Sequence, residues 1–297
     1  MKSPAISVVI NTKNSALTLE RTLKSVAWAD DIVVCDMAST DETVKIARKF
    51  TDRIFSVDDR GYVEPARNFA TAKAKHEWIL VLDADEEVPI PLAEELETII
   101  NSGYDVIDIP RKNIIFGRWL EHAGWWPDYQ RRIFRKNFVV WSDTIHSKPA
   151  VKGKIKILPP EEKYALIHQN YQTIEQYLDR LNRYTSIEAK HLSGAVTSQA
   201  KIIETGFSEL FNRFFKEQGF KGNLHGLSVS FLQMFYQIVT QLKIWQAQEF
   251  KSASGTINQI FPSIISQMKY WYADYRSKTT KNPLMKLYWL VRKHFKI

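Results

Sequence analysis

Three acidic residues directly follow a strongly apolar stretch in the N-terminal half of the chain. Residues 78–82 read Trp-Ile-Leu-Val-Leu, and Asp83, Asp85 and Glu86 come immediately after them. A run of large aliphatic residues is typical of a central strand that is covered on both faces. Because side chains alternate along an extended chain, Asp83 and Asp85 point to the same side. Either or both could therefore hold a hard divalent cation and leave coordination positions for phosphate oxygens.

The same acids also have a simpler interpretation, a solvated turn between a strand and a helix. Pro89 and Pro91 indicate that a helix begins soon afterwards, and acidic residues are favoured near a helix N-terminus. Glu86 and Glu87 are expected to be helix-start acids of this kind, with a role as a further metal ligand as the alternative.

The segments around these acids alternate between strand and helix patterns. The predicted strands lie at 6–12, 31–35, 53–57, 78–82 and 106–110. Strands separated by helices imply a parallel sheet with helices on its faces, in which ligands bind beyond the carboxyl ends of the strands. Asn11, Asp36 and Asp83 all stand at such ends, so we expect them to line one crevice.

The loop after the first strand excludes two common nucleotide-binding classes. It reads Asn-Thr-Lys-Asn at 11–14 and lacks the Gly-x-Gly-x-x-Gly of dinucleotide-binding proteins, and the chain has no Gly-Lys-Ser/Thr phosphate loop. The sequence therefore disfavours dinucleotide redox chemistry and ordinary NTP hydrolysis. It favours a nucleotide fold that handles diphosphate with a metal ion.

Composition and charge indicate a globular protein with two different halves. The 297 residues are 44% hydrophobic and 25% charged, and the only cysteine, Cys35, lies in a strand pattern and is assigned no chemistry. Residues 1–108 carry a net charge of −8 and residues 109–297 one of +16. This predicts an acidic, metal-using half and a basic half that meets phosphate, anionic lipid or nucleic acid. The start of the chain has no signal-peptide pattern, so we expect a cytoplasmic protein.

Four short motifs resemble the family 2 glycosyltransferases of the GT-A fold. They are SVVINTKN at 7–14, VCDMASTD at 34–41, ARN at 66–68 and LDADE at 82–86, in the order and at the spacing usual in that family. The pattern that continues to Asn182-Arg183-Tyr184 is similar to the bacterial branch that contains the lipopolysaccharide core β-1,4-glucosyltransferases. The resemblance implies a Rossmann-like mixed sheet flanked by helices, which binds a nucleotide sugar.

The resemblance also implies roles for individual residues. Asp36 would contact the nucleotide base, Arg67 would lie near the nucleotide, and Asp83 with Asp85 would form the DxD element around Mg²⁺ or Mn²⁺. His146 matches a histidine of the branch and is predicted to complete the metal shell or to donate to phosphate, with a buried structural histidine as the alternative. His168 is a weaker candidate of the same kind. The remaining predicted nucleotide-sugar-binding residues are Asn11, Lys13, Arg131 and Arg132.

An inverting sugar transfer also needs a base for the acceptor hydroxyl, and Asp128 is the candidate. It lies among Trp119, Trp125, Trp126 and Tyr129, a composition that suits sugar stacking. Partial desolvation there could raise the pKa of the carboxyl group. Glu121 is the alternative base, and a carboxylate that only pairs with Arg131 or Arg132 is the alternative role for Asp128.

The second half of the chain reads as helical, basic and aromatic. We predict a catalytic domain over 1–165, with a nucleotide and metal half at 1–110 and an acceptor half at 111–165, followed by a helical region over 166–297. A capping box at Thr173 begins one helix, and the 229–248 helix is apolar on two faces. Residues 275–297 carry seven Lys and Arg residues and no acid. Such a tail is predicted to bind an anionic inner-membrane surface, with a solvated helix as the alternative.

These features favour a metal-dependent glycosyltransferase that takes a hexose, with glucose expected, from a UDP-sugar. Its acceptor would be a lipid-linked glycan of the lipopolysaccharide core or a related envelope glycan, at the inner face of the cytoplasmic membrane. A polyprenyl phosphate acceptor is the second hypothesis. The third is a non-catalytic module that binds membrane or nucleic acid, although no nucleic-acid-binding motif is visible and we expect no nucleic-acid partner.

Overall fold

The chain forms two compact units. A computed structural model describes residues 5–59, 61, 63–142, 149–192, 196–251 and 257–295. The sheet unit comprises Met1–Ile114 and Pro127–Asn170, and the helical unit comprises Ile115–Trp126 and Tyr171–Ile297. Residues 115–126, which the sequence predicted to be part of the acceptor half, thus belong to the helical unit. The functional domains 1–165 and 166–297 stay a prediction.

The first half of the sheet unit alternates between strands and helices, as the sequence predicts. The elements are β1 (Ile6–Thr12), α1 (Leu19–Ser25), β2 (Asp31–Asp36), α2 (Thr43–Ala47), β3 (Ile54–Ser56), α3 (Glu64–Ala72), β4 (Trp78–Asp83), β5 (Glu86–Glu87), α4 (Ile90–Ile100) and β6 (Val106–Ile109). The short strands that follow are β7 (Arg111–Ile115), β8 (Arg118–Trp119), β9 (Gln130–Arg135), β10 (Val139–Val140), β11 (Ala150–Val151), β12 (Ile155–Ile157) and β13 (Leu166–Tyr171).

Seven of the described strands form one mixed sheet in the order β12-β6-β9-β4-β1-β2-β3. β1 pairs in parallel with both β2 and β4, and β2 pairs in parallel with β3. β9 lies between β4 and β6 and runs antiparallel to both. The strand-helix alternation alone predicted that β4 and β6 would be parallel neighbours. The predicted α/β class, with a largely parallel sheet followed by a helical region, is confirmed.

The strand before the acids is central and buried on both faces. Leu80 and Leu82 pack on one face with Leu92 and Leu96 of α4, and Ile79 and Val81 pack on the other face with alanines of α3. Full burial of each such side chain stabilises the fold by about 1.5–3 kcal/mol. The apolar run therefore holds the end of β4, with its acids, in a rigid place.

Glu86 and Glu87 are not helix-start acids, which corrects that prediction. They form β5, which pairs antiparallel with β13, and α4 begins only at Ile90. Among the described strands, β5, β13, β7 and β8 form a second sheet in that order. This sheet brings β13 and β7 beside the acids. The pairing with β13 explains the difference, because local sequence cannot show a partner that lies 80 residues away.

The helical unit contains α5 (Ile174–His191), α6 (Gln199–Phe211), α7 (Asn223–Ala247), α8 (Ile257–Thr279) and α9 (Pro283–Phe295). The Thr173 hydroxyl accepts a hydrogen bond from the Gln176 amide and caps α5 as predicted. The two apolar faces of α7 differ in exposure. On one face Val229 is buried and Leu232, Tyr236 and Val239 are half-buried, whereas Phe231, Phe235 and Leu242 on the other face are exposed.

The last helix presents an apolar stripe to solvent. Leu284, Leu287, Tyr288, Val291 and Phe295 are all exposed at helical spacing. Trp289 is buried instead, with the Arg276 guanidinium 4.9 Å from its ring centroid, and Lys293 pairs with Asp274 of α8 at 2.7 Å. None of the helices in the described parts of the chain has both the length and the apolar character needed to cross a membrane.

Candidate active site

Three of the predicted site residues meet at the carboxyl ends of neighbouring strands. In the parallel register Asn11 of β1 lies opposite Asp83 of β4, and Thr12 lies opposite Asp36 of β2. This is the edge at which open α/β sheets bind ligands. The expectation that Asn11, Asp36 and Asp83 share one edge is therefore met, while their roles as ligand-binding residues stay predictions.

Two of these side chains are buried with unused hydrogen-bonding capacity. Asn11 is 4% exposed, and neither its amide nitrogen nor its amide oxygen has a hydrogen-bond partner among the described residues. Asp36 is 3% exposed; one of its oxygens accepts from the Ser39 amide, and the other has no partner in that same part of the chain. Buried polar atoms are rarely left unsatisfied, so this edge of the sheet suits a polar ligand.

Both carboxylate oxygens of Asp83 are bound by arginines. Arg67 of α3 donates from Nη2 to Oδ1 at 2.7 Å, and Arg132 of β9 donates from Nη2 to Oδ2 at 2.5 Å. Burial by itself would raise the pKa of Asp83, but the charges of Arg132, Arg67 and Arg111 hold it well below the usual range. Asp83 is therefore an ionised carboxylate between two guanidinium groups.

Glu86 is the centre of a buried ion network. It is fully buried, and its Oε1 accepts from Arg132 Nη2 at 2.6 Å and from Arg111 Nη1 at 3.0 Å. Its other oxygen accepts from the backbone amide of Asp83 at 3.0 Å. One buried carboxylate thus connects the end of β4 with β9 and β7.

Asp128, the predicted base, lies at the far end of this network. Arg111 donates to Asp128 Oδ2 from Nε at 2.8 Å and from Nη2 at 2.7 Å, and Asn113 donates to the same oxygen at 2.9 Å. The other oxygen, Oδ1, accepts from Gln130 Nε2 at 2.8 Å. The neighbour of Asp128 is Arg111, whereas the sequence suggested Arg131 or Arg132.

The environment lowers the pKa of Asp128, which corrects the expected direction. Burial acts to raise the pKa, as the sequence suggested, but the Arg111 charge and the hydrogen bonds from Asn113, Arg111 and Gln130 outweigh it. The reason is that the lowering charge belongs to Arg111 of β7. The aromatic sequence around residue 128 gave no sign of this cation, because only the fold brings β7 to Asp128. The carboxylate is ionised at neutral pH.

Charges within the network balance. Three guanidinium groups, of Arg67, Arg132 and Arg111, meet three carboxylates, of Asp83, Glu86 and Asp128. Buried charges are tolerated when they are paired and hydrogen-bonded, as these are. The network keeps the end of β4 and the region of Asp128 in one fixed arrangement.

Asp85 faces a different partner. The His168 ring of β13 is 6% exposed, and its Nε2 lies 3.5 Å from Asp85 Oδ1. A carboxylate oxygen and an imidazole nitrogen form a donor set that fits Mn²⁺ or, with waters and phosphate, Mg²⁺. The residues that the structure describes contain no group of three or more His, Cys, Asp and Glu side chains that could hold a metal ion. A cation at Asp85 and His168 would need further ligands, for which phosphate oxygens and waters are suited.

Other predicted residues lie elsewhere or outside the described chain. Lys13 pairs with Asp59, and Arg131 forms a two-bond ion pair with Asp108, each bond 2.9 Å long, so the structure does not bring Arg131 to Asp83. Glu121 is exposed in the helical unit. His146 falls within 143–148, outside the described residues, and its role as a metal ligand stays a prediction.

The tryptophans that flank Asp128 in sequence belong to the helical unit. Trp119 and Trp126 pack edge to face with ring centroids 5.2 Å apart, and Trp125 packs in the same way on Tyr171. The Arg213 guanidinium lies 5.7 Å from the Trp125 ring centroid. Tyr129 is in the sheet unit and donates to the Leu158 carbonyl. The partners of Asp128 described above are all polar.

Sequence reasoning missed Arg111, Asn113 and Gln130 as site residues, and it treated Glu86 as a turn acid. A signal was present, because Arg111 and Asn113 occupy alternate positions of one strand, and so do His168 and Asn170 of another. Polar residues at alternate positions face the same side. Only the pairing of β7, β13 and β5 in the folded chain shows that this side faces the acids.

The fold is that of an α/β protein whose candidate ligand site lies at the carboxyl ends of its strands. Residues 7–152 match the family model "Glycosyl transferase family 2". An uncharacterized glycosyltransferase of Rickettsia bellii is 30% identical over 254 residues, which cover 80% of this chain and 85% of that protein. A second uncharacterized glycosyltransferase, from Rickettsia felis, is 28% identical, and the match covers 80% of this chain and 89% of that protein. The chain belongs to glycosyl transferase family 2 and is a glycosyltransferase.

One solved structure with a similar fold is that of TarS 1-349 from S. aureus. It is 18% identical, and the match covers 98% of this chain and 88% of the TarS 1-349 chain, with a TM-score of 0.43. Membership of an enzyme family sets aside the hypothesis of a non-catalytic binding module.

Proposed function

We propose that this chain is a metal-dependent, inverting glycosyltransferase that moves a hexose, with glucose expected, from a UDP-sugar to a lipopolysaccharide-core or related envelope glycan. One observation carries the proposal. The acids Asp83 and Asp85, with their arginine and histidine partners, share a sheet edge with buried Asn11 and Asp36. Both amide atoms of Asn11 and one carboxylate oxygen of Asp36 lack partners in the described chain.

The donor nucleotide is assigned to the edge formed by β1, β2 and β4. Asn11 and Asp36 offer a buried amide and a buried carboxylate, the groups that recognise the polar edge of a base or a ribose. Arg67 Nη1 and Arg132 Nε are buried donors without partners among the described residues. Arginine binds phosphate oxygens well, so these two atoms are assigned to the diphosphate. Lys13 is assigned to the rim of this site.

Asp85 and His168 are the residues proposed to hold Mg²⁺ or Mn²⁺. When bound, the cation would act as a Lewis acid that offsets the charge developing on the leaving diphosphate. Asp83 was predicted as a second ligand, but Arg67 and Arg132 bind both of its oxygens. We therefore assign Asp83 to orienting these arginines toward the donor.

Asp128 is proposed as the base. Its Oδ2 is bound by Arg111 and Asn113, whereas Oδ1 has a single bond in the described chain, from Gln130. The acceptor hydroxyl would give its proton to Oδ1 while its oxygen bonds to the anomeric carbon of the sugar. The bond from that carbon to the phosphate oxygen breaks, and its electron pair leaves with UDP.

The low pKa of Asp128 supports a second candidate acceptor. A carboxylate whose pKa is held down by Arg111 is a weaker base than an ordinary one. A polyprenyl phosphate is already ionised and needs little base catalysis. Transfer to a polyprenyl phosphate therefore remains the alternative function of the same donor site.

The helical unit is proposed to bring the enzyme to the inner face of the cytoplasmic membrane, where a lipid-linked acceptor would be found. The exposed apolar stripe of α9 lies on a helix that carries Lys286, Arg292 and Lys293 and no acid. Apolar residues can enter the headgroup region while basic residues contact anionic lipid, each charge contributing about 1 kcal/mol before screening.

The test is UDP release from a panel of UDP-hexoses, with a lipopolysaccharide-core acceptor or a polyprenyl phosphate, in the presence of Mg²⁺, Mn²⁺ or EDTA. We expect release that needs both metal and the core acceptor, and that falls at least 100-fold in an Asp85→Ala variant. Asp108→Asn, which alters an ion pair outside the network, is the matched control and should keep activity.

Three outcomes would overturn parts of the proposal. Unchanged turnover of Asp85→Ala would remove the metal assignment. Release with the polyprenyl phosphate alone would select the alternative acceptor. Absence of release from every UDP-hexose with either acceptor would reject the donor class.

A further inference from the structure

Asn113 lies between Asp128, the proposed base, and His168, which is proposed to hold the cation together with Asp85. It is fully buried in β7, and its Nδ2 donates to Asp128 Oδ2 at 2.9 Å. Its Oδ1 lies 2.7 Å from His168 Nδ1 and accepts from Asn170 Nδ2 at 3.2 Å. One side-chain amide therefore touches both the predicted base and the histidine beside Asp85.

The chemistry of its neighbours fixes which way this amide points. Asp128 is ionised because Arg111 binds it in a two-bond contact, and an ionised carboxylate can only accept hydrogen bonds. The NH₂ group of Asn113 must therefore face Asp128. The amide oxygen must then face His168.

The orientation of the amide in turn selects the histidine tautomer. An amide oxygen only accepts, so the hydrogen bond between Asn113 and His168 requires a proton on His168 Nδ1. In the neutral ring, Nε2 then carries a lone pair that faces Asp85 Oδ1 at 3.5 Å. Two acceptors directed at each other repel unless a metal cation or a second ring proton lies between them. Histidine ligands of metals commonly donate their other N–H to an oxygen in this way.

We propose that Asn113 is a positioning residue that couples the cation-binding pair Asp85 and His168 to the base Asp128. The inference rests on the proposed function, because it takes the roles of those three residues from it. The amide holds His168 with its Nε2 lone pair toward the cation. It also occupies Asp128 Oδ2, so that Oδ1 is directed to the acceptor hydroxyl.

Few other side chains could make both contacts. An aspartate at 113 would still accept from His168 but would place a second carboxylate against Asp128, and like charges at that distance repel. An alanine would make neither contact. Comparison of Asn113→Asp with Asn113→Ala therefore separates the histidine contact from the Asp128 contact.

The test combines a spectroscopic readout with binding and rate measurements on the full chain. Nitrogen-15 NMR of histidine-labelled protein, with Mg²⁺ and UDP at pH 8, reports whether His168 Nδ1 carries the proton; a His168→Gln variant assigns the signal. Mn²⁺ affinity is measured by electron paramagnetic resonance, and kcat by UDP release. Asn182→Asp, an equivalent change on α5, is the control.

We expect protonated Nδ1 in the wild type and in Asn113→Asp, and loss of this preference in Asn113→Ala. We expect Asn113→Asp to bind Mn²⁺ within about threefold of wild type while kcat falls about 100-fold, and Asn113→Ala to lose at least tenfold in Mn²⁺ affinity as well as kcat. A proton on Nε2 in place of Nδ1 in the wild type would overturn the inference. So would equal losses of Mn²⁺ affinity in the two variants, or a wild-type kcat in Asn113→Asp.

Failure of the proposed function has a different signature. A wild type without UDP release would reject the reaction, while the position of the proton on His168 would still decide the tautomer step. Normal release in the wild type together with unprotonated Nδ1 would reject only the role of Asn113.

Discussion

Arg111 holds Asp128 through two hydrogen bonds that converge on one carboxylate oxygen, Oδ2, from Nε at 2.8 Å and from Nη2 at 2.7 Å. The two residues are 17 positions apart in sequence, and the same guanidinium also reaches Glu86. The residue proposed as the base is thus joined by a single arginine to the network that ends at Asp83.

Asp128→Asn is expected to lower kcat by about 100- to 10,000-fold if the acceptor is a hydroxyl, because the amide cannot take its proton. The KM for the UDP-sugar should change little, since the hydrogen-bond partners of Asp128 are Arg111, Asn113 and Gln130, none of which is a proposed donor residue. Steady-state measurement of UDP release checks both values. Asp108→Asn, which alters the ion pair with Arg131 on neighbouring strands, is the matched control. A normal rate in Asp128→Asn would favour a phosphate acceptor.

Glu86→Gln is expected to lower the free energy of unfolding by about 3–5 kcal/mol, because Arg132 and Arg111 would lose a buried counter-charge. Urea unfolding followed by circular dichroism measures the change. Glu87→Gln is the control, because Glu87 is more exposed and its nearest cation, Arg21 Nε, is 3.9 Å away. Equal stability of the two variants would contradict the central place of Glu86.

Stability is expected to fall in acid because of Asp83 and Asp128. Both have pKa values in the folded state below the ordinary value, lowered by arginine charges that outweigh burial. Their contribution is fully present above about pH 5 and is lost as the pH falls below about 4 and through the folded-state pKa values. Urea unfolding at pH 7, 5, 4 and 3 checks this. The decline should be shallower in Asp128→Asn, and a constant free energy of unfolding down to pH 3 would contradict it.

Asp85→Asn and His168→Gln are each expected to weaken Mn²⁺ binding in the presence of UDP by at least about tenfold, because each removes one proposed ligand. Electron paramagnetic resonance or calorimetry measures the affinity. His76→Gln is the control histidine, since it lies beside β4 at the opposite end of the strand. Undiminished Mn²⁺ affinity in both variants would place the cation elsewhere.

The double variant Leu287→Asp and Val291→Asp is expected to abolish binding to phosphatidylglycerol vesicles, because both residues lie in the exposed stripe of α9. Wild-type binding should weaken with added salt, since screening reduces the attraction of the basic residues. Cosedimentation with vesicles measures the effect, and phosphatidylcholine vesicles test the charge requirement. Leu17→Asp, at an exposed apolar residue of the sheet unit, should bind like the wild type. Unchanged binding of the double variant would exclude α9 as the membrane contact.

Local patterns were sufficient to predict the strand-helix alternation through β4 and the meeting of Asn11, Asp36 and Asp83. The reason is that parallel strands joined by helices bring their carboxyl ends to one edge, whatever the details of the loops. The predicted start of a helix at Thr173 is confirmed for a similar reason, because a hydrogen bond between Thr173 and Gln176 depends only on neighbouring residues.

Long-range pairing decided what local patterns could not. The insertion of β9 beside β4 brings Arg132 to Asp83, and the pairing of β5 with β13 brings His168 beside Asp85. The direction of the pKa shift of Asp128 depended on Arg111, which only the folded strands place against it. Trp289 shows the same limit in the helical unit. It lies in the tail that was predicted to bind a membrane surface, yet it is buried and packs edge to face on Tyr272 of α8.

The sequence by itself determined the family, the acids at the end of β4 and the edge of the sheet at which they act, because these depend on short motifs and on the periodicity of apolar residues. The tertiary structure alone decided the partners of each acid: arginines for Asp83, Glu86 and Asp128, and His168 for Asp85. The energy of a charged side chain depends on the charges within a few ångströms of it. Here those charges come from strands that are distant in sequence, and only folding brings them together.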